Sequence, residues 1–206
     1  MSRVLDARKQ RAVQRSRRIV EAARDIVRDD GLDRLTIQAV LDRTRLSLRA
    51  FYERFAGKDE LLLAVFEEAV KDAAALHEAE SADIVDPVDR LHATVTGLFT
   101  RALQGDAAKQ SVPLSREHLR LAEARPVELR YAMEPLTQLV EAQIRAGMDA
   151  GSVREADPRR LAVLIVSLVS AHIHAVLLGS AGELDADRSG DDLWTFCWRA
   201  IRADQS

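Results

Sequence analysis

Several residue types are scarce in this chain of 206 residues, and each scarcity narrows the classes of protein to consider. The single cysteine, Cys197, excludes a disulfide within the chain and fits a reducing compartment. The chain has only nine glycines and five prolines, whereas Ala, Leu, Arg and Glu are abundant. This composition favours helices. No charged and then apolar leader opens the chain, so we expect a cytoplasmic protein.

Motifs for catalysis and metal binding are also scarce. On a helix, the side chains of His172 and His174 point about 200° apart, so they cannot share one metal site within a subunit. His77-Glu78 begins like a metalloprotease motif, but Ser81 stands where the second histidine is required. The chain has no Gly-rich phosphate loop and no C-x-x-C pair. We therefore expect no enzymatic activity, no metal site and no cofactor.

The net charge of −3 is unevenly distributed along the chain. Residues 1–60 carry 15 basic and 10 acidic side chains, a net charge of +5, whereas the remainder carries 15 and 23. A basic half joined to an acidic half is the electrostatic footprint of a nucleic-acid-binding domain attached to a body that does not touch the polyanion.

Residues 1–11 are basic and show no apolar period, which predicts a flexible basic arm. A solvated tail without function is an almost equally good interpretation. Because Arg11, Arg15 and Arg18 recur at helical spacing, we favour a basic edge that runs into the first helix. Arg15 and Arg18 would then contact phosphate or a minor groove.

Residues 36–60 predict two short helices joined by a tight turn and followed by a third helix. Thr36 and Ser47 are good N-caps for the two short helices. In the second helix one set of side chains can face inward: Ala50, Phe51 and, just beyond, Phe55. The opposite face, a candidate DNA-recognition surface, carries Leu48, Arg49, Tyr52 and Glu53.

This stretch resembles the DNA-binding domain of the TetR family of bacterial helix-turn-helix transcriptional regulators. The sequence L-D-R-T-R-L-S-x-x-x-F-Y-x-x-F-x-x-K-D-E-L is similar to the family pattern, which is roughly A-x-x-A-G-V-S-x-x-x-x-Y-x-x-F-x-x-K-x-x-L. The matching positions are Ser47, Tyr52, Phe55, Lys58 and Leu61. The domain that contains this motif, residues 1–56, would cover about a quarter of the chain.

Two positions depart from the family pattern. Arg45 stands where the family usually has a turn glycine, so it must either adopt a left-handed conformation or use another turn. Glu53 stands where a neutral or basic residue is common, and phosphates would repel it unless it accepts a hydrogen bond from a cytosine amino group.

The predicted DNA contacts divide into two kinds. Thr36, Ser47, Tyr52 and Lys58 are placed to hold phosphates, and Arg45 lies in the turn beside them. Arg49 can bind a guanine edge, with Leu48 against a thymine methyl as the alternative.

The rest of the chain predicts further helices, so the fold class is all-α. Residues 1–56 would form the DNA-binding domain, and residues 57–206 a helical domain for effector binding and dimerisation. The long fourth helix should run from Gly57 to about Ser81, and the next from Pro87 to about Gln104. Residues 105–125 have a broken pattern with a shorter helix, and a helix over 126–150 should be kinked near Pro135.

Two apolar segments near the C-terminus predict a homodimer. Residues 161–179 are apolar almost all round, which suits a helix that packs on its own subunit and on a partner. By length they would also span a membrane, but the two histidines and two serines within them argue against a span. The last helix, 191–203, adds two tryptophans. The expected interface residues are Leu161, Leu164, Leu168, His172, Trp194, Trp198 and Ile201, and a dimeric four-helix bundle is also what the resemblance implies.

The resemblance further implies a small-molecule cavity between the fourth helix and the middle helices. Polar groups set in apolar stripes are the candidates for its lining, although a satisfied hydrogen bond in the core explains each of them equally well. The expected ligand-binding residues are His92, Phe99, His118, Tyr131, Gln143 and His174.

Two functions of different class follow from these patterns. In the favoured one, the protein is a dimeric repressor that binds a palindromic double-stranded operator and is released by a hydrophobic or amphipathic ligand. In the other, the body is a helical ligand-binding or interaction module whose DNA-binding head has degenerated at Arg45 and Glu53.

Overall fold

A computed structural model describes residues 2–103, 105–180 and 186–203. In these ranges the chain forms α-helices and one 3₁₀-helix, and the only strand-like pairing is an isolated bridge between Val153 and Arg202. The α-helices are α1 Ser2–Asp30, α2 Ile37–Thr44, α3 Leu48–Tyr52, α4 Lys58–Glu80, α5 Pro87–Leu103, α6 Gly105–Ala124, α7 Pro126–Ala132, α8 Glu134–Asp149, α9 Pro158–Leu177 and α10 Ala186–Ile201. The all-α prediction is confirmed.

The N-terminal helices share one hydrophobic core. It contains the buried stripe of α1, the inward residues of α2 and α3, and the first turns of α4. Gly31 ends α1 with a positive φ of 90°, and its N–H donates to the Val27 carbonyl. Leu121 of α6 and Leu129 of α7 are buried in this same core. Residues of α6 and α7 therefore take part in the packing of the N-terminal helices.

A second hydrophobic core lies in the body. It is formed by α5, α8, α9 and α10, with Val95, Val140, Ile144 and Ala162 fully buried. The inner face of α9 packs here, whereas its outer face exposes Leu164. The length and composition of α9 would suit a membrane span, but a helix with this packing is part of the core of a helical fold.

Four helix boundaries differ from the sequence-based expectations. Helix α10 begins at Ala186, five residues before the expected start at Asp191. The prediction of a flexible arm over residues 1–11 is wrong for the described residues, because α1 begins at Ser2. Ala, Arg, Leu, Lys and Gln, which are common in this segment, have high helix propensity even without an apolar period. Residues 105–124 form the continuous helix α6 despite Pro113. A proline removes only one N–H from the helix, and here the packing of Leu114 and Leu121 outweighs that loss.

The helix expected over 126–150 is divided into two. Helix α7 ends at Ala132, Met133 separates the two, and Pro135 lies in the first turn of α8. The first N–H groups of a helix have no partner within the helix, so the N–H that proline lacks is not missed there. Pro135 therefore starts a helix instead of kinking one. The predicted end of α5 at Gln104 lies outside the described residues.

Candidate DNA-binding and ligand-binding sites

The two short helices are held at their N-termini by hydroxyl caps. The Thr36 hydroxyl accepts a hydrogen bond from the Ala39 N–H at 3.0 Å, and the Ser47 hydroxyl accepts from the Ala50 N–H at 3.2 Å. Both predicted caps are confirmed. Because each cap fixes the direction in which its helix starts, the pair sets the angle between α2 and α3.

The turn between these helices depends on one unusual backbone conformation. Arg45 has φ 54° and ψ 33°, in the left-handed region, and no other non-glycine residue in the described part of the chain has a positive φ. Of the two alternatives, the first is therefore correct: Arg45 adopts the conformation that glycine usually supplies. A side chain in this region costs about 1–2 kcal/mol relative to the right-handed region.

Replacing Arg45 by glycine should stabilise the protein. We expect Arg45→Gly to gain up to about 1 kcal/mol, because the relief of left-handed strain exceeds the extra entropy that glycine loses on folding. The melting temperature should therefore rise by roughly 2–4 °C. The matched control is Arg45→Ala, which removes the guanidinium and keeps the Cβ. Equal melting temperatures for the two variants would show that the turn is not strained.

Helix α3 buries one face and exposes the other, as predicted. Phe51 is fully buried, and its ring lies 5.6 Å from that of Phe55. Leu48, Arg49 and Tyr52 are exposed on the opposite face. A short helix that presents polar and aromatic side chains beside a capped turn has the shape of a major-groove recognition helix.

The exposed face of α3 carries its own ion pairs. The Glu53 carboxylate lies 3.3 Å from Arg49 Nε and 3.7 Å from Arg15 Nη1. It therefore orients one predicted base-contacting arginine and one predicted phosphate-contacting arginine. All three groups are largely exposed, so DNA phosphates can compete for the arginines.

Two other predicted phosphate-binding residues differ in their surroundings. Arg18 Nη2 donates to the Thr44 carbonyl at 3.0 Å, so this side chain ties α1 to the end of α2. Lys58 is exposed at the first position of α4, whose N-cap, Gly57, makes no side-chain cap. Free N–H groups at a helix N-terminus next to a lysine suit a phosphate.

The start of α4 is also connected to α6. The Arg120 guanidinium donates two hydrogen bonds to the Asp59 carboxylate, at 2.6 and 3.2 Å, and one to Glu117 at 2.8 Å. The pair lowers the pKa of Asp59 and raises the pKa of Arg120. A bidentate contact fixes relative orientation as well as distance, so the end of α6 moves with the first turn of α4.

An outer groove of about 590 Å³ lies between α6, α7, the start of α8 and α9. Its walls are mostly apolar, and its charged residues, Arg130, Glu134 and Arg159, lie on α7, α8 and α9. Glu134 and Arg159 form an ion pair, which lowers the pKa of Glu134. The groove is therefore an apolar surface with few uncompensated charges.

An inner pocket of about 310 Å³ lies between α4, α5, α6, α8 and α9. Its lining includes Phe66, Val70, Leu98, Leu136 and Ile173. The outer groove and the inner pocket share four lining residues: His118, Met133, Ser170 and His174. The two cavities therefore meet at these side chains.

The two histidines at this junction are in contact. The ring centroids of His118 and His174 lie 4.7 Å apart, and the centroid of Phe66 lies 6.0 Å from that of His118 in a T-shaped arrangement. Burial, with a smaller contribution from His174, lowers the pKa of His118 to about 4. Burial also lowers the pKa of His174. Both imidazoles are therefore neutral at neutral pH.

Comparison with known proteins supports the interpretation of the N-terminal domain. Residues 19–65 match the family model described as bacterial regulatory proteins, tetR family. This range contains both caps, the left-handed turn and the exposed face of α3. The N-terminal part of the chain is therefore a DNA-binding domain of the TetR family. The chain is a DNA-binding transcriptional regulator.

Solved structures show that the TetR-like fold extends over the whole body. RolR in complex with resorcinol is 16% identical, with a TM-score of 0.72 and coverage of 94% of this chain and 90% of that chain. Thermus thermophilus FadR, a repressor in complex with lauroyl-CoA, is 17% identical, with a TM-score of 0.73 and coverage of 93% and 97%. A protein from Saccharomonospora viridis in complex with choline is 22% identical, with a TM-score of 0.62 and coverage of 93% and 100%. A comparison with curated proteins found no significant match.

The structure of this TetR-family chain does not bring the six predicted ligand-binding residues together. Only His118 and His174 meet at the cavity junction. His92 instead stacks on Trp194 with ring centroids 4.9 Å apart, and Phe99 is buried against His172 at 5.2 Å. Neither of these lines the outer groove or the inner pocket.

The remaining two predicted ligand-binding residues also lie elsewhere. Tyr131 is 67% exposed on α7. Gln143 lines a separate cavity of about 330 Å³ between α4, α5 and α8, and its amide donates to the Thr94 hydroxyl at 2.9 Å. An apolar stripe identifies a helix face but not the neighbouring helix that the face contacts. The six predicted ligand-binding residues therefore lie at several places in the structure. Met133 and Ser170 were not predicted, since neither stands out in the sequence.

The predicted interface residues also separate into two groups. Leu161 and Ile201 are buried in their own subunit, so they cannot reach a partner. His172, Trp194 and Trp198 are half-buried and stack within the subunit. The large apolar side chains left exposed on α9 and α10 include Leu164, at 58%, and Phe196, at 65%. Phe196 was missed because it lies opposite the tryptophan face of α10.

Proposed function

We propose that this TetR-family regulator is a homodimeric repressor that a small molecule releases from a palindromic operator. The observation that carries the proposal is the connection between the two halves. Leu121 and Leu129, on the helices that wall the outer groove, are buried in the core of the DNA-binding domain. A ligand that moves α6 or α7 must therefore act on the packing of that domain.

The proposed dimer is supported by the surface of α9 and α10. Leu164 and Phe196 are large apolar side chains that a soluble monomer would leave in water. Leu168, half-buried on α9, extends this face, which we call the outer face. Pairing of two such faces would make a four-helix interface with two-fold symmetry. A two-fold dimer presents two recognition helices to two equivalent half-sites, so its operator would be palindromic.

Specific DNA binding is proposed to divide between base and phosphate contacts. Arg49→Ala should lose roughly 1–3 kcal/mol of discrimination at one base pair of each half-site, whereas Lys58→Ala should weaken all DNA alike and reduce the salt slope by about 1. Binding titrations on operator and random duplexes at several salt concentrations measure both effects. Arg145→Ala, on α8, removes the same charge away from the head and is the matched control.

The opposite result would reassign the recognition surface. Equal losses on operator and random DNA would show that Arg49 binds phosphate only. Leu48, exposed beside it, would then be the base-contacting residue.

The ligand is proposed to be hydrophobic or amphipathic, because the walls of both cavities are mostly apolar. Resorcinol, lauroyl-CoA and choline in the three similar structures differ in charge and size. The ligand of this chain must therefore be inferred from its own cavity. If the ligand prefers the DNA-free conformation, linkage requires it to weaken operator binding by the same factor.

A gel shift with the DNA upstream of the chain's own coding region tests the proposed function. We expect a salt-dependent, saturable complex that persists in the presence of excess random DNA. The complex should be lost when a compound that stabilises the protein in a thermal-shift screen is added. A complex that no stabilising compound releases would contradict the repressor-and-inducer proposal. We also propose a cytoplasmic location, where operator DNA is accessible.

A second candidate function is a helical binding module with a degenerate DNA-binding head. Its supporting observation is Glu53, whose carboxylate engages both Arg15 and Arg49 on the recognition surface. Equal affinity for upstream and random DNA would favour this module. Glu53→Gln would then raise affinity for all DNA alike, because it frees both arginines without adding a base contact.

A further inference from the structure

The four residues that the outer groove and the inner pocket share, which we call the ring, include three polar side chains in mostly apolar surroundings. His118 comes from α6, and Ser170 and His174 come from successive turns of α9. Met133, between α7 and α8, closes the ring. A ligand in either cavity can therefore contact the same two imidazoles.

One atom of this ring lacks a hydrogen bond. His118 Nδ1 is buried, and no described residue donates to it or accepts from it. A buried polar nitrogen without a partner costs free energy, so a group that completes its hydrogen bond gains affinity. The atom has almost no accessible surface, so a polar ligand group completes this hydrogen bond only if the His118 ring turns toward the cavity.

Among the described side chains, most of the cations on the helices around the pair are compensated by carboxylates. The charged residues nearby are Arg101 of α5, paired with Glu80; Arg120 of α6, paired with Asp59 and Glu117; Arg159 of α9, paired with Glu134; and Arg130 of α7, which lines the outer groove. Helix α4 presents the Phe66 ring. An anionic ligand group at the junction would be desolvated without a counter-charge, which is costly.

The two neutral imidazoles suit a hydroxyl group. A neutral imidazole has one N–H donor and one nitrogen acceptor, so the pair can donate to a hydroxyl oxygen and accept from the same hydroxyl. A carboxylate only accepts, and an ether oxygen cannot donate. We infer that the ligand is an uncharged apolar molecule with a hydroxyl group, and that this hydroxyl hydrogen-bonds to His118 and His174. This inference rests on the proposed ligand-binding function.

Four compounds with one carbon skeleton test the inference: 4-butylphenol, its methyl ether, butylbenzene and 4-butylbenzoate. Calorimetric titration of the full-length protein should give about 10-fold tighter binding for the phenol than for the ether or the hydrocarbon, which is the loss expected for one buried hydrogen bond. The benzoate should bind most weakly. Binding of the phenol should exchange no protons with buffer between about pH 6.5 and 8.5, because a phenol ionises near 10.

Two variants separate hydrogen bonding from packing. His118→Phe keeps an aromatic ring and removes both nitrogens, so the phenol should lose its advantage over the ether while butylbenzene still binds. His118→Asn retains a donor and an acceptor and should keep most of the advantage. Operator binding by each variant, measured without ligand, confirms that the fold is intact.

Three results would overturn the inference: equal affinity for the phenol and the ether, tighter binding of the benzoate with proton uptake, or no binding of any of the four. Two further results distinguish a failure of this inference from a failure of the proposed repressor function. A benzoate that binds and releases the operator would refute the hydroxyl assignment and support the repressor. A phenol that binds at the histidines without releasing the operator would do the reverse.

Discussion

Replacing Leu164 and Phe196 together by aspartate is expected to convert the proposed dimer to monomers and to lower operator affinity by about 100-fold or more, because two linked heads bind far more tightly than one. Both side chains are more than half exposed in the subunit, so the fold has little need of them. Four charges at a closed two-fold interface would be desolvated without partners. Sedimentation at micromolar concentration and operator titration measure the two effects.

The control for this variant is Val85→Asp, in the loop between α4 and α5, where the side chain is 92% exposed. It adds a similar charge away from the outer face and should leave both dimer and operator affinity unchanged. A double variant that still sediments as a dimer would place the interface elsewhere. A wild-type monomer at the same concentration would refute the dimer altogether.

Truncating Leu121 to alanine is expected to lower the free energy of unfolding by about 2–5 kcal/mol, or roughly 4–20 °C in melting temperature. Leu121 is fully buried, and it packs in the core of the DNA-binding domain although it belongs to α6. The cavity left behind would loosen the contact between the two halves. We therefore expect a further effect: a bound ligand should release the operator less completely.

Leu76→Ala on α4 is the matched control, since it deletes the same atoms from a side chain that is 39% exposed. It should cost less than half as much stability and leave the ligand response intact. Denaturant unfolding and operator titration with and without ligand make the comparison. If Leu121→Ala lowered stability and left ligand release at the wild-type level, coupling would run through α4 or the Asp59–Arg120 pair instead of this contact.

The connection through α6 changes the expected route of signalling. From the sequence, α4 alone links the DNA-binding domain to the body. In the structure, α6 and α7 contribute buried leucines to the N-terminal core, and Arg120 holds Asp59 at the first turn of α4. Ligand in the outer groove thus contacts helices that touch the DNA-binding domain directly.

Local chemistry made much of the DNA-binding domain predictable. A cap depends on a hydroxyl three residues before an N–H, so Thr36 and Ser47 are recognisable from sequence alone. The inward position of Phe51 and the outward position of Arg49 follow from helical periodicity. Even the left-handed turn at Arg45 could be stated as one of two alternatives, because residue order restricts a tight turn strongly.

The ligand site could not be predicted in the same way. His92 and His118 are both histidines on amphipathic middle helices, yet one stacks on Trp194 and the other meets His174 at the cavity junction. That difference depends on how α5, α6 and α9 pack, and those contacts join residues far apart in the chain. The same holds for Leu161 and Leu164: both belong to an apolar helix, and only the packing of α9 decided which one the subunit buries. The sequence by itself thus determined the all-α class, the two caps and the side chains that α3 exposes. Tertiary packing alone decided the cavities and the exposed face of α9, since helical period specifies a face but not its neighbour.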